Sequence, residues 1–280
     1  MTPLQHKIDF AVILRVKHAN PNGDPLNGNR PRTDYSGFGE ISDVCLKRKM
    51  RDRLIEAGQP VFVQAADRKN DDATSLRDRA EKALGKKLGS VNLAKLACET
   101  WFDVRAFGQL FAISGKGKND DEARESGISV GIRGPVTIQP AFSIKPVDIA
   151  STQITKSVNS EGDGTKRGSD TIGMKHRVEN SVYVFYGSIN PQLAERAGFS
   201  DEDAEAIKSV LPRLFENDAS SARPEGSMEI MKVIWWPHNS KSGQYSSAKV
   251  HNSLHMNPDG SGNYTLEELK DLKYEEIPGF

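Results

Sequence analysis

Cysteine is nearly absent: of 280 residues only Cys45 and Cys98 carry thiols, too far apart to suggest a disulfide framework or a zinc cluster. An excess of either charge is also missing. The 38 Lys and Arg residues balance 38 Asp and Glu, which excludes a histone-like binder with a wholly basic surface. No apolar run reaches the roughly 20 residues that a membrane span needs. Ile8 to Val16 is too short, and too soon followed by charge, to be a signal peptide. The Walker pattern, the GxSxG elbow and the HExxH zinc signature do not occur. No metal, no cofactor and no membrane partner are expected, and the cytoplasm is the expected compartment.

What is present is local charge. From Lys47 to Arg53 five of seven side chains are Lys or Arg, directly after a helix start at Ser42 with Asp43 in its first turn. Leu46, Met50, Leu54 and Ala57 recur at helical spacing as a buried stripe, and Gly58 ends the helix. Lys47 and Arg51 stand four apart on the adjoining flank, placed to hold neighbouring phosphates beside the unpaired N–H groups of the helix start. Such a run by itself also fits a solvated helix face. Its setting favours an anion site, because it follows Ala19 to Gly39, a turn-rich loop carrying Arg30 and Arg32 with Tyr35 and Phe38 behind them. The tail Leu266 to Glu276 and the stretch Asn119 to Glu125 supply acidic surface to balance the sum.

Ile8 to Lys17 alternates, with Ile8, Phe10, Val12, Leu14 and Val16 opposite Asp9, Arg15 and Lys17, which predicts a half-buried strand. Residues 66–90 read as an inserted charged helical lobe, and Ser114 to Gly127 as a polar loop. Ile128 to Ile144 predicts strand, turn and strand; Val182 to Ile189 and Met228 to Trp236 predict strands; Asp201 to Phe215 predicts a helix started by Ser200. Residues 150–181 are long, polar and Gly-rich with sparse apolar positions, the pattern of a hairpin that orders against a partner. Met174, flanked by Lys175 and His176, is placed to wedge between bases, and Tyr35, Phe38 and Phe107 are candidate stacking platforms. Gly37 to Ser42 lacks the third glycine and the preceding strand of a dinucleotide site. His251 and His255 lack the intervening Glu of a zinc helix, and the pairs Asp71/Asp72 and Asp120/Asp121 read as solvated.

Several motifs then resemble one family. They are NPNGDP (Asn20 to Pro25), SDVCLKRKMR (Ser42 to Arg51), DVRAFG (Asp103 to Gly108), IRGPV (Ile132 to Val136), GMKH (Gly173 to His176) and VYVFYGSINP (Val182 to Pro191). Together they are similar to the CRISPR-associated Cascade backbone subunit, the seventh Cas protein family in the RAMP superfamily, most like its type I-C branch. The resemblance implies an α+β chain forming a single RRM-like (ferredoxin-like) palm over residues 1–280, with large insertions including a thumb β-hairpin. It implies copies stacked as a filament on CRISPR guide RNA, whose bases pair with target DNA, beside 5'-handle-binding, large and small subunits. Carried over onto this sequence, Asn22, Arg30, Arg32, Ser42, Lys47, Arg48, Arg51, Arg105, Phe107 and Arg133 would contact RNA. Lys166, Arg167, Ile172, Met174, Lys175, His176 and Arg177 would belong to the thumb. Backbone contacts carry no sequence information, which suits a subunit that holds any spacer. Some relatives cut RNA with a loop aspartate, but no such motif surrounds Asp24 or Asp34, so no catalysis is expected. The rival readings are an endoribonuclease using Asp34, His18 or His176, and a monomeric RNA-binding module outside CRISPR.

Overall fold

The computed structural model describes residues 2–113, 128–155 and 172–280. The polar loop expected over 114–127 and the thumb candidates Lys166 and Arg167 lie outside the described residues. β1 (Ile8–Ala19) enters a turn-rich connection holding the short ladder of β2 (Gly23–Asp24) with β3 (Arg30–Pro31), then β4 (Phe38–Ile41) and α1 (Asp43–Glu56). Next come α2 (Leu76–Leu84), α3 (Leu93–Thr100), α4 (Phe102–Phe107) and the paired strands β5 (Gly108–Ile113) and β6 (Ile128–Arg133). β7 (Val136–Ile138), β8 (Ala141–Pro146), β9 (Ile149–Thr155) and β10 (Ile172–Ile189) lead to α5 (Pro191–Ala197), α6 (Asp201–Val210) and β11 (Met228–Pro237). The chain closes with α7 (Ser247–Asn252), β12 (Leu254–Met256), β13 (Tyr264–Leu266) and β14 (Glu275–Pro278).

The result is a mixed α/β protein around a large central sheet. Eight strands form it in the path β14-β11-β1-β10-β8-β4, with β7 and β9 also paired to β10. β1 lies between β10 and β11, antiparallel to both, so its backbone is hydrogen-bonded on each side. Expected to be half-buried, β1 is covered on both faces. Phe10, Val12, Leu14 and Val16 pack toward α1 and α6, and Ala11 and Ile13 pack toward Trp236, Val250 and Leu254. The alternation misleads because the carboxyl-terminal segment lays a second layer over the face that Asp9 shares. A third cluster, around Phe62, Trp101 and Phe111, serves α2, α3 and the β5–β6 hairpin.

Other elements depart from expectation for local reasons. The helix from Asp201 ends at Val210 and tightens into a 3-10 turn, because Pro212 supplies no N–H and its ring disfavours continued α backbone. A capping box of Ser200 and Asp203 starts it, as Ser200 suggested. The strand expected from Val182 begins ten residues earlier, at Ile172. Ala57, assigned to the buried stripe of α1, is exposed beyond the last helical turn. Asp71 is not simply solvated: Arg79 donates to both its oxygens at 2.6 and 2.8 Å. DVRAFG and IRGPV prove to be one joint. A side chain at Gly134 would strike the carbonyl of Ala106, and one at Gly108 the carbonyl of Ile132.

Asp9 anchors the second layer. Its Oδ2 accepts from His238 Nε2 at 2.9 Å and pairs with Lys7 Nζ at 2.9 Å, while His251 Nε2 stands 3.6 Å from Oδ1. Burial raises the Asp9 carboxyl, but hydrogen bonds from His238, Ser247 and Lys7 outweigh it and hold the group below its ordinary 3.8. Burial lowers the His251 imidazole below its ordinary 6.5, opposed by Asp9 and the Gly187 carbonyl. Both shifts have the same sign of consequence: on acidification the unfolded chain takes up protons that the folded chain resists. The His251 contribution is complete above pH 6.5 and fades as pH falls below it. Urea midpoints are therefore expected to drop between pH 7.5 and 5, with a smaller drop in His251→Phe, which keeps a ring against Tyr186. An equal drop in both proteins would remove His251 from the cause.

Candidate nucleic-acid interface

The connection and α1 meet at Asn22 and Ser42. Ser42 caps the helix, its Oγ accepting from Cys45 N at 3.3 Å, and both its N–H and its hydroxyl donate to Asn22 Oδ1 at 2.9 Å. Asn22 thus pins the turn-rich loop to the helix start, which places Arg30 and Arg32 beside it. Arg32 reaches Asp24 at 3.6 Å, and its Nε is buried without a partner among the described residues.

The basic run of α1 is largely neutralised from within. Lys49 is buried against Asp218, which Arg223 also contacts at 3.0 Å. Burial lowers the Lys49 ammonium from its ordinary value, although Asp218 pulls the other way. Arg51 Nε donates to the buried Asp103 at 2.8 Å, with its guanidinium 5.1 Å from the centre of the Phe107 ring. Arg53 is buried, 2.7 Å from Glu56. Arg105 makes a two-pronged pair with Asp203 at 2.7 and 2.9 Å. Phe107, a stacking candidate, is half-buried and packs against the main core under Arg51.

Two cations of the run remain at the surface. Lys47 pairs with Asp43 at 2.9 Å one turn away, and Arg48 reaches Asp67 at 3.3 Å and stands 3.8 Å from the buried Asp52. The Lys47–Asp43 pair is half-buried and Arg48–Asp67 exposed. Exposed pairs are worth about 0–1 kcal/mol, so an incoming anion can replace Asp67 at little expense. Arg133 and Lys175 are exposed and have no carboxylate within 4 Å among the described residues. Tyr35 is fully exposed and Phe38 half-buried on the same connection.

β9 and the first half of β10 form a two-stranded arm continuous with the sheet, in register from Ile149↔Val178 to Thr155↔Ile172. Residues directly opposite share a face. One face carries Ile172, Met174, Gln153, Ser151 and His176; the other carries Ile154, Thr152, Lys175 and Arg177. Ile172, Met174 and Ile154 are 58, 54 and 48% exposed, an unusual amount of bare aliphatic surface for strands. Arg177 Nε pairs with Glu179 at 3.0 Å. At the root, Arg30 Nη1 donates to Ser151 Oγ at 2.9 Å, and His176 Nδ1 lies 2.9 Å from the same hydroxyl.

The groups considered for cleavage chemistry are otherwise occupied. Asp34 Oδ1 accepts from Ser36 N and Phe38 N at 2.9 Å each, as a turn-forming carboxylate does. His18 lies 3.2 Å from Glu179. His251 is buried in α7, whereas His255 is exposed on β12, so they do not converge. Among the described residues no group of three or more His, Cys, Asp or Glu is placed to hold a metal, and no helix is long and apolar enough to cross a membrane.

Sequence reasoning missed the carboxylates. Asp103, Asp203 and Asp218 join their cations across 52, 98 and 169 positions, respectively, and no local pattern encodes such pairing. It also missed Ser151, one of five serines in the polar stretch 150–181.

These features define a class: mixed α/β proteins with a large antiparallel sheet and an exposed two-stranded arm. A chain from a solved structure described as "CRISPR RNA-guided surveillance complex, pre-nicking" shares the fold, with a TM-score of 0.50 and 16% identity, covering 82% of this chain and 78% of that one. The "CRISPR-associated protein Cas7" of Haloferax volcanii is 28% identical over 286 residues, 97% of this chain and 81% of the relative. The family model described as CRISPR-associated protein Cas7 matches residues 6–276. The chain belongs to the Cas7 family.

Proposed function

We propose that this protein is a non-catalytic backbone subunit of a CRISPR RNA-guided surveillance complex of type I, closest to type I-C. It binds the sugar–phosphate backbone of the guide RNA, stacks with copies of itself and leaves the bases free to pair with target DNA. Subunits that hold the guide's 5' handle, and large and small subunits, are its further partners. The observation that carries this reading is the family match from residue 6 to residue 276, which takes in the connection, α1, the arm and β11 together.

The palm is RRM-like in this reading. The central path β11-β1-β10-β8 and the shared packing of α1 and α6 on one face support it. Residues 150–181 are the thumb, and residues 66–90 are an inserted lobe. The backbone-binding set falls into two parts. Lys47, Arg48, Arg30, Arg133 and Lys175 are the cations available to phosphates, since among the described residues they have no carboxylate partner or a weak one. Asn22, Ser42, Arg51, Arg105 and Phe107 shape the surface from beneath, because their polar or aromatic groups are engaged within the chain. Arg32, 3.6 Å from Asp24 with a buried Nε, stands between the two parts. A subunit that reads no letters needs charge and shape alone, and these residues supply both.

Purification of the protein with its natural neighbours, followed by sequencing of the bound RNA, tests the reading. Repeat–spacer transcripts in stoichiometric amount are expected. Recovery of a monomer free of RNA, or of RNA unrelated to repeats, would overturn it.

A further inference from the structure

The palm cations of α1 are matched with carboxylates, whereas Arg30 is held by a neutral hydroxyl. Its Nη1 donates to Ser151 Oγ at 2.9 Å, and no carboxylate lies within 4 Å of it among the described residues. Asp24, opposite Arg30 in the β2–β3 ladder, faces Arg32 instead. This hydrogen bond also has an unusual place in the fold. Apart from the Arg177–Glu179 pair along β10 itself, it is among the described residues the one side-chain hydrogen bond joining the outer arm, residues 150–155 and 172–177, to the rest of the chain. The remaining polar contacts there stay within the arm or its own strand: His176 with Ser151, and Arg177 with Glu179.

We propose that Arg30 and Ser151 form a latch between the turn-rich connection and the arm, and that a phosphodiester oxygen of the bound strand opens it by taking the Arg30 guanidinium. The inference rests on the backbone-binding reading above and concerns how that site is regulated. A guanidinium favours a doubly accepting anion over a single neutral hydroxyl, because charge-assisted paired bonds are roughly twice as strong. Ser151 loses little when the latch opens. It is exposed to water, and its proton already has an acceptor in His176 Nδ1, in the tautomer that leaves Nδ1 bare. Opening removes the tie between arm and connection at the moment a strand arrives. The bare Ile172 and Met174 on one face of the arm are then free to settle on a second copy. Loading and self-association become coupled through one bond.

The two halves of that bond carry opposite predictions. Ser151→Ala removes the competitor and leaves the cation, so affinity for a labelled single-stranded RNA of mixed sequence is expected to rise on the order of threefold, the fold-change of one modest hydrogen bond. Arg30→Ala removes both, so affinity is expected to fall and the salt slope to drop by about 0.7 log units for the lost contact. Amide exchange in residues 150–155 should quicken in Ser151→Ala without RNA, and in the wild type only once RNA is added. Weaker binding in both variants would make Ser151 part of the phosphate site and overturn the latch. Unchanged binding and exchange in both would overturn it as well. Absence of RNA binding by the wild-type protein would sink the backbone-binding reading and the latch together, which separates the two failures.

Discussion

Asp103→Ala should lower the free energy of unfolding by about 3–5 kcal/mol, the cost of removing one partner from a buried ion pair. Asp103 is 1% exposed in α4, and three donors converge on it. Its Oδ1 accepts from Phe62 N at 2.6 Å, and its Oδ2 from Val63 N at 3.1 Å and Arg51 Nε at 2.8 Å. Truncation would strand two backbone N–H groups and a guanidinium that is itself mostly buried. Each stranded group carries its own desolvation penalty of about 1–3 kcal/mol, so partial relaxation still leaves a large loss. Against a typical total of about 5–15 kcal/mol this is a substantial fraction. Phe62 also leads the aromatic cluster with Trp101 and Phe111, so the damage would spread into the β5–β6 hairpin. Urea unfolding measures the effect. A loss below about 1 kcal/mol would show that Arg51 does not depend on Asp103, and would return Arg51 to the set of cations available for RNA.

The second large effect is on binding. The triple variant Lys47→Ala, Arg48→Ala, Lys175→Ala should remain folded, Lys47 and Lys175 costing no more than about 0.5 kcal/mol each. Arg48 should cost somewhat more, because it stands 3.8 Å from the buried Asp52 as well as 3.3 Å from Asp67. Its salt slope for single-stranded RNA should fall by about 2 log units, since each lost phosphate contact on a single strand removes about 0.7. Arg51 is left out deliberately, because its removal would confuse folding with binding. An unaltered slope would place the strand elsewhere on the protein. A fall in stability alone would show that the surface pairs matter more to the fold than exposed pairs usually do.

The legible parts of the sequence were those whose signal is local. The capped start at Ser42, the Leu46–Met50–Leu54 stripe and the strand from Met228 all rest on spacing within a few residues, and they appear with nearly the boundaries expected. The turn-rich connection could be read as an ordered loop, since Asn, Pro and Gly dictate tight turns wherever they cluster. The partners of the basic run could not be read. Lys49 meets Asp218 and Arg105 meets Asp203 only because distant helices and loops stack on α1 and α4. The same run of Lys and Arg therefore looks like a bare cationic face in the sequence, whereas the folded chain shows mostly closed ion pairs. The double burial of β1 escaped for a similar reason: the layer from His238 to Leu272 lies far along the chain, and alternation reports only one face.

Late arrival of those carboxylates has a consequence for synthesis. As the polypeptide leaves the ribosome, the stretch from Lys47 to Arg53 emerges well before Asp103 and Asp218 exist to quench it. Until they arrive, the young chain exposes a dense cationic tag that attracts any polyanion nearby, messenger or guide alike. Folding then closes Lys49 and Arg51 while Lys47 and Arg48 stay at the surface, so a protein stalled half-made should be stickier toward nucleic acid than the finished one.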